Sequence, residues 1–155
     1  MRERSETDGC ELMSSLQPAQ ELDLILNAIE ERLEPTKEQI SQFKLDVLFL
    51  VEPKLPSVAR AGLVEGRRFA AGVVAHSVIS DALAQCWAYA DEQWPGGGLE
   101  TKEACAVRSV ISLLHGLVSQ EVDFVDSISF FLALINRVEP HFSEEARLLE
   151  QRFLG

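Results

Sequence analysis

The residues of this sequence that could do chemistry are its histidines, cysteines and carboxylates, and their spacing forms no catalytic set. His76 and Asp81 have the types of a general base and its orienting carboxylate, which must lie within hydrogen-bond reach of each other. On one helix the two positions are about 140° apart, so their side chains cannot meet. We therefore assign no catalytic residue.

Metal and cofactor motifs have no better support. Cys10, Cys86 and Cys105 are an odd number of cysteines at irregular spacing, without a CxxC pair, and are typical of free thiols in a reducing compartment. Gly96–Gly98 precede Lys102 but lack the GxxxxGK[ST] spacing of a phosphate loop. We assign no metal ligand and no cofactor.

Four aromatic or cationic side chains are candidates for lining a small-ligand pocket: His76, Trp87, Arg108 and His115. Arg108 and His115 are seven residues apart and share one flank of a predicted fifth helix, while His76 falls beside Trp87 at the edge of the fourth. Such a pocket would lie between helices three, four and five. In the alternative interpretation Arg108 pairs with a carboxylate of a neighbouring helix, His76 is a packing residue and His115 faces solvent.

Two further surfaces are candidate binding sites. Arg60, Arg67 and Arg68 form a basic stripe that could bind an anion or pair internally with the acidic first third of the chain. Leu45 and Phe49 lie opposite the main apolar stripe of the second helix, so either the first helix or another protein must cover them. An aromatic anchor within an acidic region suits a basic protein partner.

Helical periodicity recurs in every segment that must position these residues, and strand-type alternation never persists. We predict an all-α, single-domain bundle of six or seven largely antiparallel helices over residues 15–155, after a charged and disordered tail at residues 1–14. Thr36 and Gln39 fit a capping box at the start of the second helix. The six longer helices are predicted at about Pro18 to Leu33, from the Thr36 cap to before Pro53, from after Ser57 to Gly72, and at Ala75 to Trp94, Thr101 to Val118 and Asp123 to Val138.

Two features predict how these helices pack. Gly62 and Gly66 indicate a flat face of the third helix against which another helix approaches closely. The sixth helix is apolar over more than half its circumference, so it is either central to the bundle or an interface that forms a homodimer through Phe130 and Leu134.

Composition limits the class of protein. The 155 residues hold 25 acids and 14 Lys or Arg, a formal charge of −11 that argues against nucleic-acid binding. No apolar stretch has the length of a membrane span or a signal-peptide core, which favours a cytoplasmic protein of bacterial type. A start at Met13 instead of Met1 would remove little besides charge.

The small size, the acidity and the absence of assembled catalytic groups favour a binding or regulatory protein over an enzyme. An inhibitor or immunity-type protein that masks a basic partner is the first hypothesis. The alternatives are a helical enzyme or small-ligand-binding protein that uses the predicted pocket, and a structural homodimer.

Overall fold

The structure is a computed structural model that describes residues 18–32, 35–119 and 124–154. The predicted tail at residues 1–14, Cys10 and the question of Met1 or Met13 lie outside these ranges. The described residues form helices and turns without strands, which confirms the all-α prediction. Within these ranges lie seven α-helices: α1 Pro18–Arg32, α2 Lys37–Val51, α3 Ser57–Ala70, α4 His76–Gln93, α5 Lys102–Val118, α6 Phe124–Val138 and α7 Phe142–Leu149.

Local sequence signals determine where several helices begin and end. The Thr36 side chain accepts from the backbone N–H of Gln39, and the Gln39 side chain accepts in return from the N–H of Thr36, so the predicted capping box is confirmed. Thr101 caps α5 in the same way through the N–H of Ala104. Between α4 and α5, Gly96 and Gly97 adopt positive φ values of 86° and 77°, which favour glycine.

The core of the bundle is built around α5, which packs against α2, α3, α4 and α6. Ten of its 17 residues are buried, including the adjacent Leu113 and Leu114. A helix buried on this scale has few positions left for polar side chains.

The close approach of α3 to α5 depends on two glycines, as the sequence predicts. A Cβ at Gly62 would lie 3.2 Å from side-chain atoms of both Val110 and Leu114, and a Cβ at Gly66 would lie 3.1 Å from Leu113. These separations are shorter than ordinary contacts between carbon atoms. The absence of side chains at these positions therefore fixes the distance between the two helices.

The bundle itself covers the wide apolar face of α6, which packs against α1, α2 and α5. Leu134 is only 2% exposed, so it is not available to a second copy of the chain. The predicted homodimer surface of Phe130 and Leu134 is therefore wrong at Leu134, while Phe130 is 45% exposed. The structure favours the central position of the sixth helix over its role as an oligomer interface.

In the described ranges, no helix combines the length and the apolar character that a membrane span requires.

We expect Gly62→Leu to lower the free energy of unfolding by about 1–3 kcal/mol, because overpacking a tight contact forces core side chains or backbone to move. Urea unfolding followed by circular dichroism measures the change. Ala61→Leu is the matched control, since it adds the same side chain to the same helix at an exposed position. Equal stability of the two variants would contradict the proposed tightness of the α3–α5 contact.

Candidate functional site

One cleft of about 400 Å³ opens between α2, α4, α5 and α6. It brings together residues that are far apart in the sequence, so it exists only in the folded chain. The walls combine hydroxyl groups, cations and aromatic rings. Its lining consists of Lys37, Ile40, Ser41 and Lys44 from α2, Trp87 from α4, Arg108, Ile111, Ser112, His115 and Gly116 from α5, and Asp126, Ser127 and Phe130 from α6.

Three of the four predicted pocket residues, Trp87, Arg108 and His115, line this cleft together. His76 does not, and its ring instead packs edge-on against Phe69 with the ring centroids 4.9 Å apart. The predicted location between helices three, four and five also differs from the structure, because α2 and α6 form the walls and α3 is absent from them. Instead, α3 packs through its glycines against the side of α5 that faces away from the cleft.

Lys44 lies at the bottom of the cleft, and sequence analysis missed it. The residue is 2% exposed, and its ammonium donates to Ser127 Oγ at 2.8 Å, to Ser112 Oγ at 3.0 Å and to the Ser112 carbonyl at 3.4 Å. The Phe131 ring lies 5.6 Å away. Lysine is rarely buried without an ionic partner, yet none of the described carboxylates forms an ion pair with Lys44.

Burial has a direct effect on the acid–base behaviour of this amine. It lowers the pKa of Lys44 to about 8 because the charged form loses hydration that neutral oxygens replace only in part. The sequence did contain a signal, since Lys44 is four residues from both Ile40 and Leu48 and therefore shares their apolar face of α2. A lysine on an apolar helix face is either buried with that face or extends its ammonium group beyond the edge of the face into water.

The two serines that contact Lys44 can also bind a ligand. A hydroxyl oxygen that accepts from an ammonium keeps its own proton to donate. Neither Ser112 nor Ser127 donates a side-chain hydrogen bond to another described residue. The Lys44 charge also polarises both O–H groups, which makes them stronger donors toward the cleft.

Arg108 supplies the second cation and stacks on two aromatic rings. Its guanidinium carbon lies 4.9 Å from the centre of the Trp87 ring and 5.9 Å from that of Phe130. This stacking holds the planar group in place while its N–H edges remain free for hydrogen bonds. The Nε atom is buried and has no hydrogen-bond partner within the described part of the chain. The predicted pairing of Arg108 with a neighbouring carboxylate is not observed among these residues.

The cleft is positive in an otherwise acidic chain. Lys37, Lys44 and Arg108 line it, while Asp126 is the carboxylate among its lining residues. His115 also lines the cleft. The arrangement can therefore accept negative charge at its polar side and apolar surface against Trp87 and Phe130.

The predicted partner surface on α2 is wrong at one of its two residues. Leu45 is 6% exposed and lies beside Phe69 and Leu117, so the chain itself covers it. Phe49 is 67% exposed and has the Arg67 guanidinium 6.0 Å from its ring centre. The helical wheel placed both residues on one face but could not show that α3 would cover only the first.

The predicted arginine stripe is engaged in internal contacts. Arg60 donates to the Leu55 carbonyl at 2.8 Å, and Arg68 pairs with Glu65 in its own helix at 2.8 Å. Arg67 forms a two-point ion pair with Glu52 at 2.7 and 3.2 Å, which lowers the pKa of that carboxyl. These contacts favour internal pairing over an anion site.

The described cysteines have no features of nucleophiles. Cys86 and Cys105 are free and buried, and burial raises the pKa of the Cys86 thiol to about 11. A thiol with a raised pKa has almost no thiolate at neutral pH. Within the described ranges, no group of three or more His, Cys, Asp or Glu residues is arranged to hold a metal ion.

A second buried polar group that the sequence did not reveal connects α6 to α7. The carboxyl of Glu145 is fully buried, and its Oε1 accepts from Asn136 Nδ2 at 2.9 Å. Asn136 Oδ1 accepts from the backbone N–H of His141, so the amide links the helix end to the carboxyl. Oε2 of Glu145 has no hydrogen-bond partner among the described residues, and burial raises the pKa of this carboxyl to about 7.

The double variant Arg67→Glu, Arg68→Glu is expected to lower the free energy of unfolding by about 1 kcal/mol, because Glu52 loses its partner and then faces a like charge. Thermal unfolding at low salt measures this loss of stability. Arg68→Glu alone is the control, since the Arg68 side chain is 51% exposed and its partner lies within the same helix. A melting curve of the double variant identical to wild type would contradict the internal pairing.

The stability of wild type relative to Glu145→Gln is expected to fall as pH rises from 5 to 8. Between pH 4.5 and about 7 the unfolded chain releases the Glu145 proton while the folded chain retains it. Folding therefore becomes less favourable over this window, by about 1–3 kcal/mol in total. Urea unfolding of both proteins at the two pH values tests this, and a constant difference between them would contradict it.

Comparison with known proteins adds no functional information. No protein-family model, no curated protein and no solved structure matches this chain. The function must therefore be argued from the geometry and chemistry of the cleft.

Proposed function

We propose that this protein binds a small organic anion in the cleft between α2, α4, α5 and α6. The observation that carries the proposal is the convergence of Lys44 and Arg108 on one cleft, where neither cation forms an ion pair with a described carboxylate. An anionic ligand would supply the missing charge partner.

The donors in the cleft suit a carboxylate or a phosphate group. Ser112 and Ser127 each retain a hydroxyl proton, and the Arg108 guanidinium presents a planar edge of N–H groups. The Nε atom of Arg108 has no hydrogen-bond partner among the described residues, so the donors of this guanidinium are not all engaged within that part of the chain.

The remainder of the ligand is expected to be apolar and flat. Trp87 and Phe130 are exposed by 38% and 45%, and both rings lie beside the Arg108 guanidinium. Aromatic side chains of this kind bind planar groups by stacking. A cleft of about 400 Å³ is in the size range of small-molecule sites.

The hypothesis of a protein that masks a basic partner has less support. Of the two residues predicted to contact such a partner, Phe49 is exposed and Leu45 is buried. Around Phe49 the carboxylates of Asp46 and Glu52 are engaged by Arg152 and Arg67, so the rim is not distinctly acidic. The buried free thiols and the acidic composition still favour a cytosolic location, which we retain as a proposal.

Benzoate and inorganic phosphate are suitable probes, with binding followed by titration calorimetry. We expect benzoate to bind more tightly than phosphate because it can also stack on Trp87 and Phe130. Lys44→Met and Arg108→Gln should each weaken benzoate binding at least about tenfold, since each removes a charge-assisted donor. Lys102→Met, which removes an exposed lysine outside the cleft, is the control.

Benzoate affinity should also decrease as pH rises through about 8, because Lys44 then loses its proton and its attraction for the anion. Circular dichroism must show that each variant is folded. Binding that is unaffected in both cleft variants, or no binding of either probe to wild type, would overturn the proposed function.

A further inference from the structure

The Lys44 amine combines features that exposed lysines lack. It lies at the bottom of a cleft, it is almost completely buried, and its hydrogen-bond partners are neutral oxygens. An amine held by carboxylates is stabilised as an ammonium, whereas an amine held by hydroxyl groups more readily becomes a neutral nucleophile. The surroundings of Lys44 therefore favour reactivity at Nζ as well as electrostatic attraction.

Gly116 leaves space beside this amine. A Cβ at this position would have Lys44 Nζ as its neighbour at 3.8 Å, and both residues line the cleft. A larger side chain at position 116 would extend toward Nζ. Glycine therefore leaves open one approach by which a ligand atom can reach the nitrogen.

Two hydroxyl groups are in position to move protons at the amine. Ser127 Oγ and Ser112 Oγ lie 2.8 and 3.0 Å from Nζ. Each can relay a proton, because a hydroxyl group can receive a proton from the nitrogen while it passes its own to an oxygen that is leaving a carbon atom nearby. Arg108 lies on the same cleft wall, where it can hold the anionic part of a ligand.

We propose that Lys44 forms an imine with the carbonyl carbon of a small anionic aldehyde or ketone, such as an oxo acid, bound in this cleft. The inference rests on the proposed function, because the anion site places the carbonyl group beside Nζ. It deepens that proposal by naming the class of ligand and the atom that reacts with it.

The chemical step is balanced without a cofactor. The lone pair of neutral Nζ forms a bond to the carbonyl carbon, and the electron pair of the C=O bond moves to oxygen. A proton passes from nitrogen to that oxygen, which gives a carbinolamine. A second proton transfer through a serine hydroxyl lets the oxygen leave as water, and a C=N bond remains.

The charged groups around the cleft set how this reactivity depends on pH. Lys37 and Lys44 from α2, Arg108 and His115 from α5, and Asp126 from α6 face it. Desolvation lowers the pKa of Lys44 to about 8 from an ordinary value of 10.5, so a substantial neutral fraction exists under mildly alkaline conditions. The exposed Lys54 and Lys102 have no comparable burial.

The test is reductive trapping on the full chain with glyoxylate and sodium cyanoborohydride at pH 8. The reductant converts an imine of glyoxylate to a carboxymethyl group on the lysine, and peptide mapping by mass spectrometry measures this product. Lys44 is expected to react at least about tenfold faster than Lys54 and Lys102, because its neutral fraction is larger. The labelling rate of Lys44 should rise with pH up to about 8 and then level off.

Two controls link labelling to the cleft. Gly116→Leu should slow labelling of Lys44 at least about fivefold and leave Lys54 unchanged, because it fills the space beside Nζ. Benzoate should protect Lys44 but not Lys54 in the wild-type chain. Circular dichroism of the Gly116→Leu variant checks its fold, and the benzoate competition does not depend on that variant.

The outcomes distinguish this inference from the proposed function. Labelling of Lys44 that is no faster than that of Lys54 would overturn the imine proposal, even if benzoate binds. Failure of benzoate to bind, together with slow labelling, would overturn both. Fast labelling of Lys44 that benzoate prevents would support both the reactive amine and the site that holds the anion.

Discussion

The architecture depends on the burial of α5 by four other helices. A helix covered on nearly all sides can carry only small or apolar residues where its neighbours touch it, and its polar residues must lie at the gaps. One side of α5 meets the glycines of α3 at separations that leave no room for a side chain. Another side of α5 faces α2, α4 and α6 across the cleft, where Arg108, Ser112 and His115 are among the lining residues.

The helical period connects the tight contact to the cleft. Val110 and Leu114 pack against Gly62, and Arg108 and Ser112 precede each of them by two residues. Two residues correspond to about 200° around a helix, so the polar pair points to nearly the opposite side. The same helix therefore presents an apolar surface to α3 and a donor surface to the cleft. A change in the register of α5 would disturb both at once.

The sequence was sufficient to predict the fold class and most helix boundaries, because caps, prolines and apolar periodicity are local signals. It also singled out Trp87, Arg108 and His115, whose chemical types are unusual on largely apolar helices and which line one cleft in the structure. It could not show which helices form the walls around them, because that depends on which helix faces pack together. Gly62 and Gly66 indicate a close approach but not which helix approaches. Lys44 was missed because a lysine is normally assigned to the surface. For Leu45 the sequence left the choice between the first helix and another protein, because helical periodicity does not show that α3 covers it.

The net charge of the whole chain is negative, whereas that of the cleft lining is positive. Which of the two governs the binding of an anion depends on the distance between the anion and the cleft. The chain has an excess of 11 negative charges, and salt screens the charge of any residue that faces solvent within about 8 Å. Lys44 and Arg108 are partly or fully removed from water, so their field at the cleft is screened much less. An anion that approaches from a distance gains little attraction and is held only where donors contact it directly. Affinity in such a site depends on the fit of the ligand to Arg108, the two serine hydroxyls and the aromatic wall.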